Sequence, residues 1–485
     1  GYRIGGFIGV LAGTQSIYLT FSRCNNGVSV YGVNSVGGFI GHISVKVISI
    51  VIVSSNNYGE ITGKYIIGGF VGAIESNQKA YFQFRESANN GRINANSGGY
   101  DIGGFVGHII RHDDITLVFY FCSNNETITA QYDKVGGFIG YMNANTLTLY
   151  MNWNENTGDI QGTSKLGGFI GTIFNNPSIG IFFVDDKNNG TISGNGTEDS
   201  IGGFVGLIES NENLTMQIEN VINHGKLSES KSVGGIIGHV LKNPDMTLFI
   251  SNTMNDETIN GVEKVGGLIG YVGDNSNMIA TISYCSNNAT VTGTGSYVGG
   301  LIGLIDASKS TITLSDCANN GLVDGKSYDV GGFVGKIDSA NVITLSGCIN
   351  NAKVNGRGNT GGFFGTIHQA QSVTMMISKC INNETVTCTN NGGYGGGFFG
   401  LIQDCKYMDV TVSESMNNAT IIASYGIGGF FGVVQSSTNM MVTISDSINN
   451  GGSVGSHARG GFIGRLSSNS NTNVSISNCS NNGSL

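Results

Sequence analysis

Proline is almost missing from this sequence: 2 residues among 485. Charged residues make up only 12% of the chain and tryptophan occurs once. Helix-rich domains carry more Glu, Lys, Ala and Leu than this, so an all-helical fold is excluded. Collagen is excluded because glycine, though it reaches 78 residues, has no three-residue period and proline is so scarce. With 24 basic against 33 acidic residues there is no basic stripe to neutralise phosphates, which argues against nucleic acid as a partner. No run of about 18 uninterrupted apolar residues occurs, so no membrane span is expected; the nearest candidate, Val45 to Val53, is short and β-branched and reads as a buried strand. CxxC, HExxH and calcium-binding nonapeptide patterns are missing, and with them the usual signals of zinc, zinc-protease and calcium sites. No secretory leader is visible. Residue 1 is Gly, so the chain reads as a processed or excised piece, and the missing leader carries no weight.

What is present is a repeat. The block Gly-Gly-[Phe/Ile/Leu]-[Ile/Val/Phe]-Gly occurs fifteen times, from Gly5 to Gly460, at spacings of 30 to 35 residues. A fixed period in this range marks a solenoid, a propeller or an array. Each repeat reads as three extended pieces. The first is the glycine block, as in Val330-Gly331-Gly332-Phe333-Val334-Gly335; the second alternates apolar and small polar residues, as in Ile343-Thr344-Leu345-Ser346; the third follows an Asn-Asn step, as in Asn288-Ala289-Thr290-Val291. The Asn-Asn step reads as a turn, because Asn and Gly tolerate positive φ. Propellers close with 4–8 four-stranded blades, so fifteen short repeats fit an open stack better. The expectation is therefore an all-β, single parallel β-helix of about fifteen three-strand coils. It runs as one continuous array from 1 to 485, about 32 residues per repeat, a rod on the order of 70 Å long at about 4.8 Å per coil.

Phe fills the third place of the block in twelve repeats, with Ile236, Leu268 and Leu301 in the others. Like residues on like coils are expected to form an axial ladder, and stacked Asn side chains to hydrogen-bond from coil to coil. One coil cannot bury its own core, so stability should be shared among neighbours. The three longest repeats gain residues before the next block, at 96–100, 195–199 and 390–394, which reads as tolerated surface bulges.

The wording Val298-Gly299-Gly300-Leu301-Ile302-Gly303, preceded by Asn288 to Gly293, resembles the GLUG repeat. The resemblance covers essentially the whole chain. It departs from that pattern in preferring Phe to Leu and in its Asn-Asn step. It implies a β-solenoid of the kind found in large secreted and surface proteins, often adhesin-like, and supplies no catalytic residues.

Candidate chemistry is sparse. Six of nine cysteines, Cys122, Cys285, Cys317, Cys348, Cys380 and Cys479, stand two places before the Asn-Asn step, where Ser54, Ser87, Thr253, Ser415 and Ser447 stand on other coils. That exchange reads as a small-residue slot holding buried thiols. His42, His108 and His239 share a place after the block and read as surface residues. Carboxylates do not gather in one column: Asp113-Asp114 and Asp185-Asp186 read as solvated turns. No cofactor, metal or catalytic residue is expected.

Ten Asn-x-Ser/Thr sequons, at Asn125, Asn189, Asn195, Asn213, Asn288, Asn383, Asn418, Asn473, Asn478 and Asn482, make N-linked glycans the best chemical expectation. On the outward face of the second strand, the first half of the chain places Val118, Tyr120, Phe182, Val184 and Phe249, an apolar patch expected to pack on another chain. The second half places Thr281, Thr313, Thr344, Met376, Thr411 and Thr443 beside a column of serines. No capping sequence is recognisable, so the expected partners are copies of the chain or further repeats, end to end or side by side. The function expected is a non-catalytic structural or adhesive extracellular rod, a candidate subunit of a surface filament. The alternatives are a carbohydrate-active β-helix enzyme, which needs charged side chains converging on one groove, and an ice-binding solenoid.

Overall fold

A computed structural model describes residues 1–75, 77–96, 98–196 and 200–485. Of the expected bulges, Ser97 and Thr197, Glu198 and Asp199 lie outside the described residues. The described chain is all-β, without a helix, and its strands pair in parallel as a β-solenoid of about fifteen turns. It divides into two compact units, Gly1–Lys231 with Gly235–Thr247, and Ser232–Gly234 with Leu248–Leu485. Each carries the same repeat.

A coil of the first unit shows the plan. The glycine-block strand Ile102–Gly103 is followed by two strands of a long face, Val106–Ile110 and Ile115–Tyr120, then by Ser123–Asn124, then by a return strand, Ile128–Thr129. A coil of the second unit repeats it with Val330–Gly331, Val334–Ser339, Val342–Ser346, Ile349–Asn350 and Val354–Gly356. There are thus five strand segments per coil, not three. The glycine block is split by a bend at its second glycine and Phe, and the Asn step is itself a short strand. Register is strict: Ile102 pairs with Val135 and Leu117 with Leu149, as Val330 pairs with Thr360 and Leu345 with Ile377.

The bend needs glycine because backbones meet there. A Cβ on Gly104 would lie 2.0 Å from the Gly137 carbonyl oxygen and 2.8 Å from Asn124 Oδ1. The space saved turns the next residue, Phe, into the core. Rings stack along the axis at 4.7–4.8 Å between centroids from Phe7 to Phe204 in the first unit. In the second they stack from Phe333 to Phe430 at 4.6–4.7 Å. Alternation along the long face buries Ile115, Leu117 and Phe119 and leaves Thr116, Val118 and Tyr120 on the outside. Burying such a ring stabilises by about 1.5–3 kcal/mol, repeated on the inner coils that carry Phe.

The Asn column is the polar counterpart. In the first unit Asn26, Asn57, Asn89, Asn124, Asn156 and Asn188 each pass a hydrogen bond from Nδ2 to the next Oδ1, at 2.8–2.9 Å, ending on Asn223. In the second unit the same ladder runs from Asn255 to Asn481 at 2.7–3.0 Å. These amides are fully buried along most of the ladder, so pairing is obligatory. They are not positive-φ turn residues, as the sequence led one to expect. Positive φ falls two residues before the Asn-containing strand, on chemically unrelated side chains such as Glu86, Phe121, Trp153 and Asp185.

Candidate functional site

The outward surfaces decide what such a fold can touch. Three features stand out: the notch at the glycine bend, the small-residue slot, and the exposed corner of the Asn strand.

At the bend the chain folds back on its outer side. The residue two before the block then faces the residue five after its first glycine. In the first unit this brings Asp101 to His108, with Asp101 Oδ2 to His108 Nδ1 at 3.1 Å. His108 Nε2 meets Glu75 Oε1 of the neighbouring coil at 2.9 Å, and His42 Nδ1 approaches the same oxygen at 4.0 Å. Lys134 closes the other end, 3.2 Å from Asp101 Oδ1, beneath the ring of Tyr141. The expectation of surface histidines is therefore corrected for His42 and His108, which are 3% and 4% exposed. Burial opposes charge on His108, but the hydrogen bonds and fields of Asp101 and Glu75 outweigh it and hold its pKa above the usual imidazole value. Burial dominates at His42 and lowers its pKa.

The second unit carries its own version. Asp329 Oδ1 accepts from Asn359 Nδ2 at 3.0 Å and from Thr366 Oγ1. Lys336 pairs with Asp338 at 2.8 Å, and His368 lies 3.9 Å from Asp338 and 3.6 Å from Asp404. Charged groups therefore do gather on neighbouring coils, which corrects the reading that no such column exists. The missed signal was the seven-residue spacing across the block, Asp101/His108 and Asn359/Thr366. Chemically these notches bind protons and pair coils. Among the described residues no group of three or more His, Cys, Asp or Glu is arranged to hold a metal ion.

The slot lies two residues before the buried Asn. It holds Cys122, Cys285, Cys317, Cys348, Cys380, Ser87, Thr253, Ser415 and Ser447, all buried. In the second coil the slot residue is Ser55, not Ser54, because there the buried Asn is the second of its pair. All nine cysteines are free thiols. Burial pushes Cys122 up to about 12, so it is a packing group and not a nucleophile. Asp186 also occupies the slot, fully buried, accepting from Asn154 N at 2.7 Å and Nδ2 at 2.9 Å. It is not the solvated turn expected. Burial drives its pKa well above the usual carboxylate range, against the hydrogen bonds from Asn154.

The ten sequon asparagines are all exposed. Six, Asn125, Asn189, Asn288, Asn383, Asn418 and Asn482, directly follow the Asn of the inner ladder. In the second unit these places form an outer amide ladder, Asn482 to Asn450 to Asn418 to Asn383, with Nδ2 donating at 2.9–3.0 Å. The Thr partner of Asn195 is Thr197, outside the described residues.

Of the proposed contact patch, Val118, Tyr120, Phe182 and Val184 face outward and are half-buried in the first unit; Phe249, 43% exposed, belongs to the second. Tyr150 and Phe182 stack at 5.2 Å, so the rings cover one another's faces and offer edges to solvent. Thr281, Thr313, Thr344, Met376, Thr411 and Thr443 lie in register on the second unit's long face.

The chain is thus defined as a parallel β-solenoid by its own geometry. No family model, no curated protein and no solved structure matches it. No described helix is long and apolar enough to cross a membrane.

Proposed function

We propose that this chain is a non-catalytic structural or adhesive protein of the cell exterior, of the kind that builds surface filaments. The observation that carries this reading is where the recurring side chains go. Phe and Asn, the two most regular positions, are both spent on coil-to-coil ladders, while the first unit's outward column of Val118, Tyr150, Phe182 and Gln217 changes from coil to coil. That is how a scaffold is built: an invariant interior holding a surface free to change. The resemblance to GLUG-type repeats supports the location, and the exposed sequons support N-linked glycans as its modification. Partners in this reading are further copies or further repeats.

The test is antibody labelling and protease shaving of intact cells, with mass spectrometry of the released peptides. Surface labelling with sugar on the corner asparagines is expected. Protein found only after permeabilisation, with bare asparagines, would sink the proposal. A second reading, a carbohydrate-active enzyme, draws on the second unit's notch, where Lys336, Asp338, His368 and Asp404 converge. Release of reducing ends from a polysaccharide panel, abolished in Asp338→Asn, would favour it.

A further inference from the structure

The twelfth repeat is one of the three long ones, and its extra residues are not a loose bulge. After the return strand Val386–Cys388, Gly392 N and Gly393 N both donate to Asn390 O, at 2.9 and 3.1 Å, with Gly392 at φ 140°. Asn390 N donates to Arg357 O of the neighbouring coil at 2.9 Å, and Cys388 Sγ to Gly358 O. The insertion is thereby stitched to the coil beside it. With the matching strand ends of the two preceding coils it walls a cavity of about 470 Å³, within the range of small-ligand sites. Its side chains are Asp324, Lys326, Asn355, Arg357, Thr389 and the two asparagines of the insertion. In the first unit the sixth repeat's insertion begins at the same place, and a cavity of about 380 Å³ lies there. Its lining side chains are neutral ones, among them Gln131, Gln161, Ser193 and Asn195.

Charge separates the two cavities. Asp324 pairs in register with Asn355, but the register slips just beyond them, where Arg357 N donates to Ser327 O at 3.1 Å, so Arg357 does not repeat the place of Lys326. Where the first unit stacks Lys134 on Lys165, each has its own carboxylate, Asp101 at 3.2 Å and Asp133 at 2.9 Å. Here Asp324 takes Lys326 at 2.6 Å, and among the described residues Arg357 has no ionic partner. Arg357 lies exposed at this solvent-open groove, and the other lining residues are Asp324, Lys326, amides, a hydroxyl and glycines, with no aromatic side chain.

We propose that this cavity binds an anionic sugar residue, a uronate, with its carboxylate on Arg357 and its ring hydroxyls on Asn355, Thr389 and Asn390. A guanidinium grips a carboxylate through two parallel hydrogen bonds. One unpaired cation, beside the Asp324–Lys326 ion pair and several neutral donors and acceptors, suits a monocarboxylated polyol better than a multiply charged polyanion. This rests on the adhesive reading above and gives it a ligand class.

The experiment is calorimetric titration of the whole chain with trigalacturonate at low salt, with the fully methyl-esterified trimer and acetate as controls. Binding of the acid trimer alone is expected. Arg357→Gln should weaken it at least tenfold and Asp324→Asn should strengthen it severalfold, both with the thermal melt unchanged. Equal binding by the esterified trimer, equal competition by acetate, no binding by the acid trimer, or an unaffected Arg357→Gln would each overturn the proposal. Cell-surface adhesion is scored separately. A wild-type chain that adheres nowhere defeats the adhesive reading, whereas adhesion fully kept by Arg357→Gln defeats this site alone.

Discussion

Asn156→Ala is the sharpest probe of the inner amide ladder. Asn156 is fully buried; it donates to Asn188 Oδ1 at 2.8 Å and to Gly158 O at 3.0 Å, and accepts from Asn124 Nδ2 at 2.8 Å. Three hydrogen bonds at about 1 kcal/mol each are lost, and a buried Asn188 acceptor left without its donor adds about 1–3 kcal/mol. The expected cost is about 4–6 kcal/mol. Asn418→Ala, in the outer ladder, also removes bonds to both neighbours, but water replaces them, so about 0.5 kcal/mol is expected. Because two units and many coils make global unfolding poorly two-state, the assay is native-state hydrogen exchange read coil by coil. Protection should fall at the amides of Asn124, Asn156 and Asn188 and fade over a few coils. If the two variants agreed within about 1 kcal/mol, buried amide stacking would not be what holds this corner.

Other substitutions separate the remaining causes. Asp186→Asn should stabilise, since Asp186 has a raised folded pKa and its charged form is penalised. The new amide can also donate to the Met151 carbonyl, as Asn154 does to Phe119 O at 3.2 Å on the adjacent coil. The gain in melting temperature should grow as pH rises from 4 to 7, and a gain independent of pH would refute the charge argument. His108→Gln should cost about 3–5 kcal/mol in mildly acidic buffer, because it leaves Glu75 and Asp101 without their shared cation. The folded pKa of His108 lies above 6.5, so its contribution is complete below that value and lost as pH rises through the folded pKa. Wild type and variant should therefore converge in alkaline melts. Gly104→Ala should prevent local folding, detected as lost exchange protection in its coil, because its Cβ meets a carbonyl oxygen at 2.0 Å. Gly13→Ala, with nothing within 4 Å, should be silent.

The periodic interior was legible from residues alone. Phe at a fixed place, strict apolar alternation and recurrent Asn identify which side chains stack, and Phe119, Phe138 and Asn124 lie where the pattern puts them. The corners were less legible. Positive φ falls on Phe121, Trp153 and Glu86, so no residue type marks it; the geometry is imposed by stacking rather than by local preference. The slot register slipped at Ser55 because Asn25-Asn26 and Asn56-Asn57 extend one residue the other way, so the pair alone does not say which Asn is buried. The notches were missed because they depend on a bend that brings together residues seven apart in a coil and then joins coils through Glu75. A linear reading of charge sees only scattered His, Asp and Lys.

Spin-label distances along the second unit test the central claim most directly. With the half-buried Cys24 and Cys479 replaced by Ser, labels on Ser475 and, in turn, on Thr313, Thr344, Met376 or Thr411 sample positions in register on successive coils. Parallel stacking predicts about 24 Å for the Thr313 pair and a loss of about 4.8 Å at each further step. Distances that failed to shorten evenly, or that passed through a maximum as around a ring, would contradict it.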